Sequence, residues 1–240
     1  MNKDEAYKLM DCLGRLTHDP VAWVYFAFDW DNDPELKGQK PQKWQLEQLE
    51  RIAKGLETPD TVIRQTVSSG HGIGKSCLVA WVILWAISTH PDTRGVVTAN
   101  TEAQLRTKTW AELAKWYRKF IAKELFTYTA TAIFSIEAEH ERTWRIDAIP
   151  WSVTNTEAFA GLHNQGRRIL IIFDEASAID DHIWEVAEGA LTDKNTEIIW
   201  CCYGNPTRNV GRFHSCFTKY RNYWDTKKID SRDVAISNKA

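Results

Sequence analysis

The sequence has no apolar run long enough to enter a membrane. Its most apolar helical stretch, Cys77 to Ser88, falls short of the roughly 20 residues that a bilayer span needs. The first ten residues carry charges throughout, so no secretory leader is expected. There is no excess of positive charge: 30 Lys and Arg stand against 32 Asp and Glu, a net charge of −2. A chain that grips nucleic acid with its whole surface is thereby excluded, and any DNA contact must come from a local patch. Cysteine is sparse and odd in number. Cys12, Cys77, Cys201, Cys202 and Cys216 have no metal-ligand spacing and read as reduced thiols of a soluble, intracellular protein. Linkers, repeats and low-complexity tracts are also missing. What the chain has in abundance is tryptophan, twelve in all and scattered, as expected of core and interface bulk.

At 240 residues there is room for one large domain or two small ones. Helical periodicity covers Lys3 to Leu16 and Gln42 to Leu56, with Trp44, Leu46, Leu49 and Ile52 recurring on one face of the second. Strands and helices then alternate. Thr61 to Ser68 reads as a strand, Lys75 to Thr89 as a helix, Arg94 to Asn100 as a strand, and Thr101 to Glu124 as a helix capped by Thr101. Ala130 to Ile136 and Thr143 to Ile149 look like antiparallel neighbours. Arg168 to Phe173 is nearly all apolar, as in a parallel strand buried on both faces. Asp181 to Leu191 (helix), Glu197 to Tyr203 (strand), Gly211 to Phe217 (helix) and Asn222 to Ile229 (strand) complete the series. The expected fold class is α/β, a mostly parallel central sheet with helices on both faces.

Between the first strand and the following helix lies Ser69-Gly70-His71-Gly72-Ile73-Gly74-Lys75-Ser76-Cys77. A glycine-rich turn that opens a helix presents backbone N–H groups and the positive end of the helix dipole, which together cradle phosphate. Lys75 is placed to reach the β- and γ-phosphates of ATP, and the Ser76 hydroxyl to ligate Mg²⁺. The usual pattern begins with glycine, where this chain has Ser69. The strand Arg168 to Phe173 runs into Asp174-Glu175. Asp174 at its carboxyl end is a candidate to hold Mg²⁺, and Glu175 to activate the attacking water. Asp and Glu are also favoured at a helix start for electrostatic reasons alone.

Four further expectations are less determined by pattern. Asn205, in Gly204-Asn205-Pro206, follows the strand Glu197 to Tyr203; it sits in a turn, and can also sense the γ-phosphate from there. Gln45 can read the edge of adenine with its amide, or simply face solvent on its helix; Trp30 or Phe26 could stack on the base. An arginine is needed at the γ-phosphate, and the candidates are Arg106, Arg167, Arg168, Arg208 and Arg212. Arg167 is preferred because its Gly-bounded flanking loop, Gly161 to Gly166, suits contact with a neighbouring subunit. Two stretches are locally basic, Thr101 to Glu124 and Thr207 to Lys228; each is either a DNA-phosphate contact or a solvated face.

Taken together, Trp44-Gln45, the Ser69–Ser76 loop, Thr98-Ala99-Asn100-Thr101, Phe173-Asp174-Glu175-Ala176 and Gly204-Asn205-Pro206 resemble the ATPase domain of the large terminase subunit of tailed bacteriophages. The likeness spans roughly residues 20 to 229, and Ser69 in place of the first glycine is typical of that family. It implies a P-loop NTPase of the additional-strand (RecA-like) type, with 1–60 as an N-terminal helical, adenine-side segment, 61–229 as the ATPase core and 230–240 as a tail or the start of a linker. It implies ATP and Mg²⁺ as cofactors, and a motor that packages double-stranded DNA in the host cytoplasm. The partners implied are the portal protein, the small terminase subunit and copies of itself in a pentameric ring, the fragment alone being a possible monomer; no membrane is implied. The family's nuclease domain needs spaced carboxylates on a second sheet. After Asn205 only Asp225, Asp230 and Asp233 remain, so no nuclease activity is expected. The competing readings are a helicase-like or AAA-type ATPase and a nucleotide-binding assembly module without turnover.

Overall fold

The computed structural model describes residues 2–152 and 156–235. Of the tail 230–240, residues 236–240 lie outside the described residues. The helices are α1 (Lys3–Gly14), α2 (Pro20–Ala27), α3 (Lys43–Leu56), α4 (Lys75–Thr89), α5 (Glu102–Gln104), α6 (Ala111–Lys119), α7 (Glu157–Ala160), α8 (Asp181–Gly189) and α9 (Arg212–Cys216). A π-helical turn, Leu105–Trp110, joins α5 to α6. The strands are β1 (Val62–Ser69), β2 (Arg94–Ala99), β3 (Phe126–Tyr128), β4 (Ala132–Ser135), β5 (Arg145–Ala148), β6 (Arg168–Asp174), β7 (Glu197–Gly204) and β8 (Asp225–Ile229).

All eight strands form one sheet in the order β3-β4-β5-β2-β6-β7-β1-β8. The six from β5 to β8 pair in parallel, and β3, β4 and β5 pair antiparallel at one edge. The decisive feature is β7, which lies between β1 and β6. That inserted strand separates the one that delivers the glycine-rich loop from the one that ends in Asp174, as the additional-strand type requires.

The two sides of the sheet bury different cores. Along β6, Leu170 and Ile172 join α1 to α4 and α6, whereas Ile169, Ile171 and Phe173 join α7 to α9. This is the period-2 alternation of a strand covered on both faces. On the second face Phe173, Trp184, Trp200 and Trp224 form a chain of edge and tilted ring contacts. Ten of the tryptophans are buried, so bulk is their main role. Helix α4 is apolar all round and is buried from Leu78 to Thr89 without a break.

The structure departs from the sequence expectations in three places. Helix α2 was not anticipated; Asp19 caps it by accepting from the Ala22 N–H and Pro20 occupies its first turn. The expected helix to Glu124 stops at Lys119 and is interrupted by the π turn. Strand β3 follows it, three residues too short to announce themselves.

Candidate nucleotide site

The carboxyl ends of parallel strands are where ligands bind in such sheets, and the candidate residues gather at that edge. After β1 the chain turns through Gly72 (φ 73°) and Gly74 (φ 90°), which caps α4. Both sit in the left-handed region that side chains resist, so glycine is required there. A Cβ at Gly70 would crowd the Ser231 hydroxyl, in the segment after β8. A cavity of about 270 Å³ opens over the loop, lined by His71, Gly72, Ile73, Gly74, Lys75, Ser76, Cys77, Lys108, Glu112 and Glu175.

Lys75 is nearly enclosed, and all three of its ammonium donors are committed. Nζ donates to Ser69 Oγ at 3.0 Å, to the Gly70 carbonyl at 2.7 Å and to Asn205 Oδ1 at 2.7 Å. Ser69, the departure from the usual glycine, thus supplies a hydroxyl that parks the lysine. Burial pushes the Lys75 pKa down, against the pull of Glu175 and Asp174. An incoming phosphate must take at least one donor from these partners, so phosphate entry and the position of Asn205 are linked. The Asn205 Nδ2 faces the His71 ring at 3.0 Å, which ties the end of β7 across to the loop. Asn205→Ala is therefore expected to lower ATP turnover about tenfold, the worth of one hydrogen bond to a charged group. Steady-state hydrolysis with nucleotide affinity measured in parallel checks this; turnover within twofold of the parent would leave Asn205 a turn residue.

Asp174 is buried at the end of β6. Its Oδ1 accepts from the Glu175 N–H at 3.0 Å and its Oδ2 from the Thr109 hydroxyl at 2.6 Å. Burial raises its pKa, the Thr109 hydroxyl opposes that rise and the Glu175 charge reinforces it. Glu175 follows with φ 50° and ψ 43°, left-handed for a residue other than glycine. Backbone strain of this kind concentrates at functional sites. Sequence reasoning passed over Thr109 and counted Lys108 only among the charges of the basic stretch Thr101 to Glu124; both come from the π turn, which no motif announces.

Gln45 is held within the chain. It is buried, its Oε1 accepts from the Gln42 N–H at 2.8 Å and its Nε2 donates to the Gly74 carbonyl at 2.9 Å. Trp44 Nε1 donates to the Ile73 carbonyl at 3.1 Å. The start of α3 therefore braces the glycine-rich loop, and both ends of the Gln45 amide are occupied within the chain. Trp30 packs edge-on against Trp81 with its Nε1 on the Val24 carbonyl, and neither it nor Phe26 lines the cavity.

The arginines separate by the end of the sheet they occupy. Arg167 precedes and Arg168 begins β6, whose seven residues span about 20 Å to Asp174. Arg167 lies 3.8 Å from Asp92, at the end of the sheet away from this chain's own phosphate loop. Arg168 is wholly buried and pairs with Glu197. Arg106 pairs with Glu102, and Arg212 with Glu188. Arg208 alone of the five is exposed without an ion pair among the described residues, three positions past Asn205 at the phosphate edge.

Three of the six basic residues of the first stretch are paired locally: Arg106 with Glu102, Lys115 with Glu112, and Lys119 with Asp33 and Glu35. The second keeps Arg208, Lys219, Arg221 and Lys228 without ion pairs among the described residues, with Lys219 over the Tyr220 ring and Lys228 over the Phe217 ring. No helix among the described residues is long and apolar enough to cross a membrane.

No family model matches the chain. Over 199 residues it is 28% identical to a probable terminase large subunit of Enterobacteria phage P7, covering 79% of this chain and 37% of that protein. The chain thus spans well under half the length of this relative. Among solved structures, the large terminase of bacteriophage HK97 superposes with a TM-score of 0.61 at 13% identity, over 92% of this chain and 46% of the other. The large terminase ATPase domain of Thermus phage P74-26 gives 0.54 at 18% identity, over 83% and 85%. With β7 inserted between the loop strand and the Asp174 strand, the chain has the additional-strand P-loop NTPase fold, and in sequence and architecture it resembles the ATPase domain of phage terminase large subunits.

Proposed function

We propose that this chain hydrolyses Mg-ATP to drive double-stranded viral DNA into a procapsid. The observation that carries the reading is the cavity over the glycine-rich loop, lined by Lys75, Ser76 and Glu175, with Asn205 bonded to Lys75 and Asp174 directly behind Glu175 on three adjacent strands. Nucleotide phosphates occupy the loop from Ser69 to Cys77, and Lys75 exchanges its internal partners for the β- and γ-oxygens. Ser76 and Asp174 would hold Mg²⁺. The fit is chemical: hydroxyl and carboxylate are hard oxygen donors, and among the described residues no cluster of three His, Cys, Asp or Glu forms a cage. Magnesium is commonly bound by one or two such groups plus phosphates. When bound, the metal neutralises charge on the phosphates; the chain supplies Glu175 as the proton acceptor and Asn205 as the link from phosphate to β7.

The base is assigned to the cavity of about 470 Å³ between Pro41–Glu47 and Lys227–Ala235, which adjoins the loop through Trp44. Gln45 contributes to base recognition only by releasing one of its internal bonds. The arginine at the γ-phosphate is either Arg167 donated to a neighbouring subunit in a ring, or Arg208 in cis. Arg208, Lys219, Arg221 and Lys228, which have no ion pairs among the described residues, favour the stretch Thr207 to Lys228 for DNA phosphates. Portal protein, small terminase subunit, a pentameric assembly and the host cytoplasm complete the reading by resemblance.

The test is ATP hydrolysis by the wild-type chain, alone and with double-stranded DNA, portal and small subunit. Low turnover alone that rises with these partners is expected, because a trans arginine needs a neighbour. No turnover under any of these conditions sinks the motor and favours a binding module.

A further inference from the structure

Thr109 belongs to no motif, yet it fixes the one buried carboxylate of the site. It lies on the apolar stripe of its helix, between Leu105 and Leu113, and is itself almost completely buried. A polar residue in such a stripe must have a hydrogen-bond partner. Thr107, two residues before it, satisfies its hydroxyl on the carbonyl four residues back, at Ala103. Thr109 instead donates to Asp174 Oδ2 at 2.6 Å. The π turn Leu105–Trp110 makes this reach possible. One extra residue in a helix of 3.6 per turn swings the following side chains by about 100°, and such turns recur at functional sites. The Glu175 N–H holds the other oxygen, so the carboxylate is gripped at both ends and keeps free lone pairs on each oxygen.

We propose that Thr109 is the positioning residue of the metal carboxylate: by locking Asp174 in one orientation it sets the affinity of the phosphate site for Mg²⁺. The proposal rests on Asp174 being the metal carboxylate. It assigns to the helix after β2 a part in metal binding, in the way that partners of metal ligands tune a site from behind.

The experiment titrates Mg²⁺ into the protein with a fluorescent ADP and reads the midpoint of metal-dependent binding, with binding in EDTA as the metal-free reference. Thr109→Val and Thr109→Ala remove the hydroxyl and are expected to raise the midpoint about tenfold with EDTA binding unchanged, whereas Thr109→Ser stays within about twofold of the parent. Thermal melts identify which variants fold, and Ala stands in should Val not. An unmoved midpoint in a folded hydroxyl-free variant overturns the proposal, as does a Ser variant as impaired as Ala. Asp174→Asn separates the underlying reading: if it too leaves the midpoint unmoved, Asp174 is not the metal carboxylate.

Discussion

Glu175→Gln is expected to lower ATP turnover by about 10²–10⁴-fold, the usual worth of a positioned general base. The amide keeps the size of the side chain and loses the proton acceptor, so Mg-nucleotide affinity should persist. Single-turnover hydrolysis beside equilibrium binding separates the two quantities; turnover within tenfold of the parent would remove Glu175 from the chemistry. The backbone gives a second handle. At φ 50° and ψ 43°, Glu175 occupies a conformation that costs a side-chain-bearing residue about 1–2 kcal/mol. Glu175→Gly should therefore abolish turnover and raise stability by about 1 kcal/mol. Lost activity with gained stability marks a residue kept for function, and denaturant unfolding shows it directly.

Arg168→Ala is expected to destabilise the chain by about 3–5 kcal/mol, the cost of removing one partner from a buried pair. Its Nε and Nη2 donate to Glu197 at 2.7 and 2.6 Å. Nη1 donates to Thr89 Oγ1 and Nη2 to the Thr17 carbonyl, each at 2.9 Å, and the guanidinium lies 4.3 Å from the Trp85 ring centre. The substitution strands Glu197, unseats the turn that leads into α2 and leaves a void on α4. A fall in melting temperature of about 10 °C follows from the lower bound, and a loss under about 1 kcal/mol would show the network to be dispensable. The pair also sets an acid limit. Burial alone would raise the Glu197 pKa, but Arg168 and His18 outweigh it and hold the carboxyl below its ordinary value of 4.5. A lowered folded pKa contributes stability that is complete above the unfolded value and is lost as pH falls through the folded one. Acid unfolding below pH 4.5 should be shallower in Arg168→Ala than in the parent.

The contrast between Arg168 and Glu175 shows what was legible in the sequence. The apolar run of β6 and the acidic pair after it are local signals, and fold and chemistry follow from them. The same run carried the place of Arg167: an extended strand separates its two ends by its length, so a residue before β6 lies at the far end from a site after it. Asp19-Pro20 was likewise a readable helix start for α2. Other features were not readable at all. The place of β7 between β1 and β6 is a matter of pairing between distant segments. Gln45 has the composition of a base reader, but its two bonds exist only once α3 meets the loop. Thr109 left one faint trace, a hydroxyl on a stripe of leucines, and the π turn that aims it has no sequence signature here.

Helix α4 has a mechanical consequence. Packed on every side from Leu78 to Thr89, it cannot slide or tilt without opening voids on one flank and overfilling the other. In the proposed motor it would be the fixed part. Any stroke that begins when phosphate loosens Lys75 from Asn205 cannot run down the helix that bears the lysine. It would leave by way of β7 into the exposed stretch 206–210, which meets the turn after β6 through the Thr207 and Ser177 hydroxyls, 3.0 Å apart.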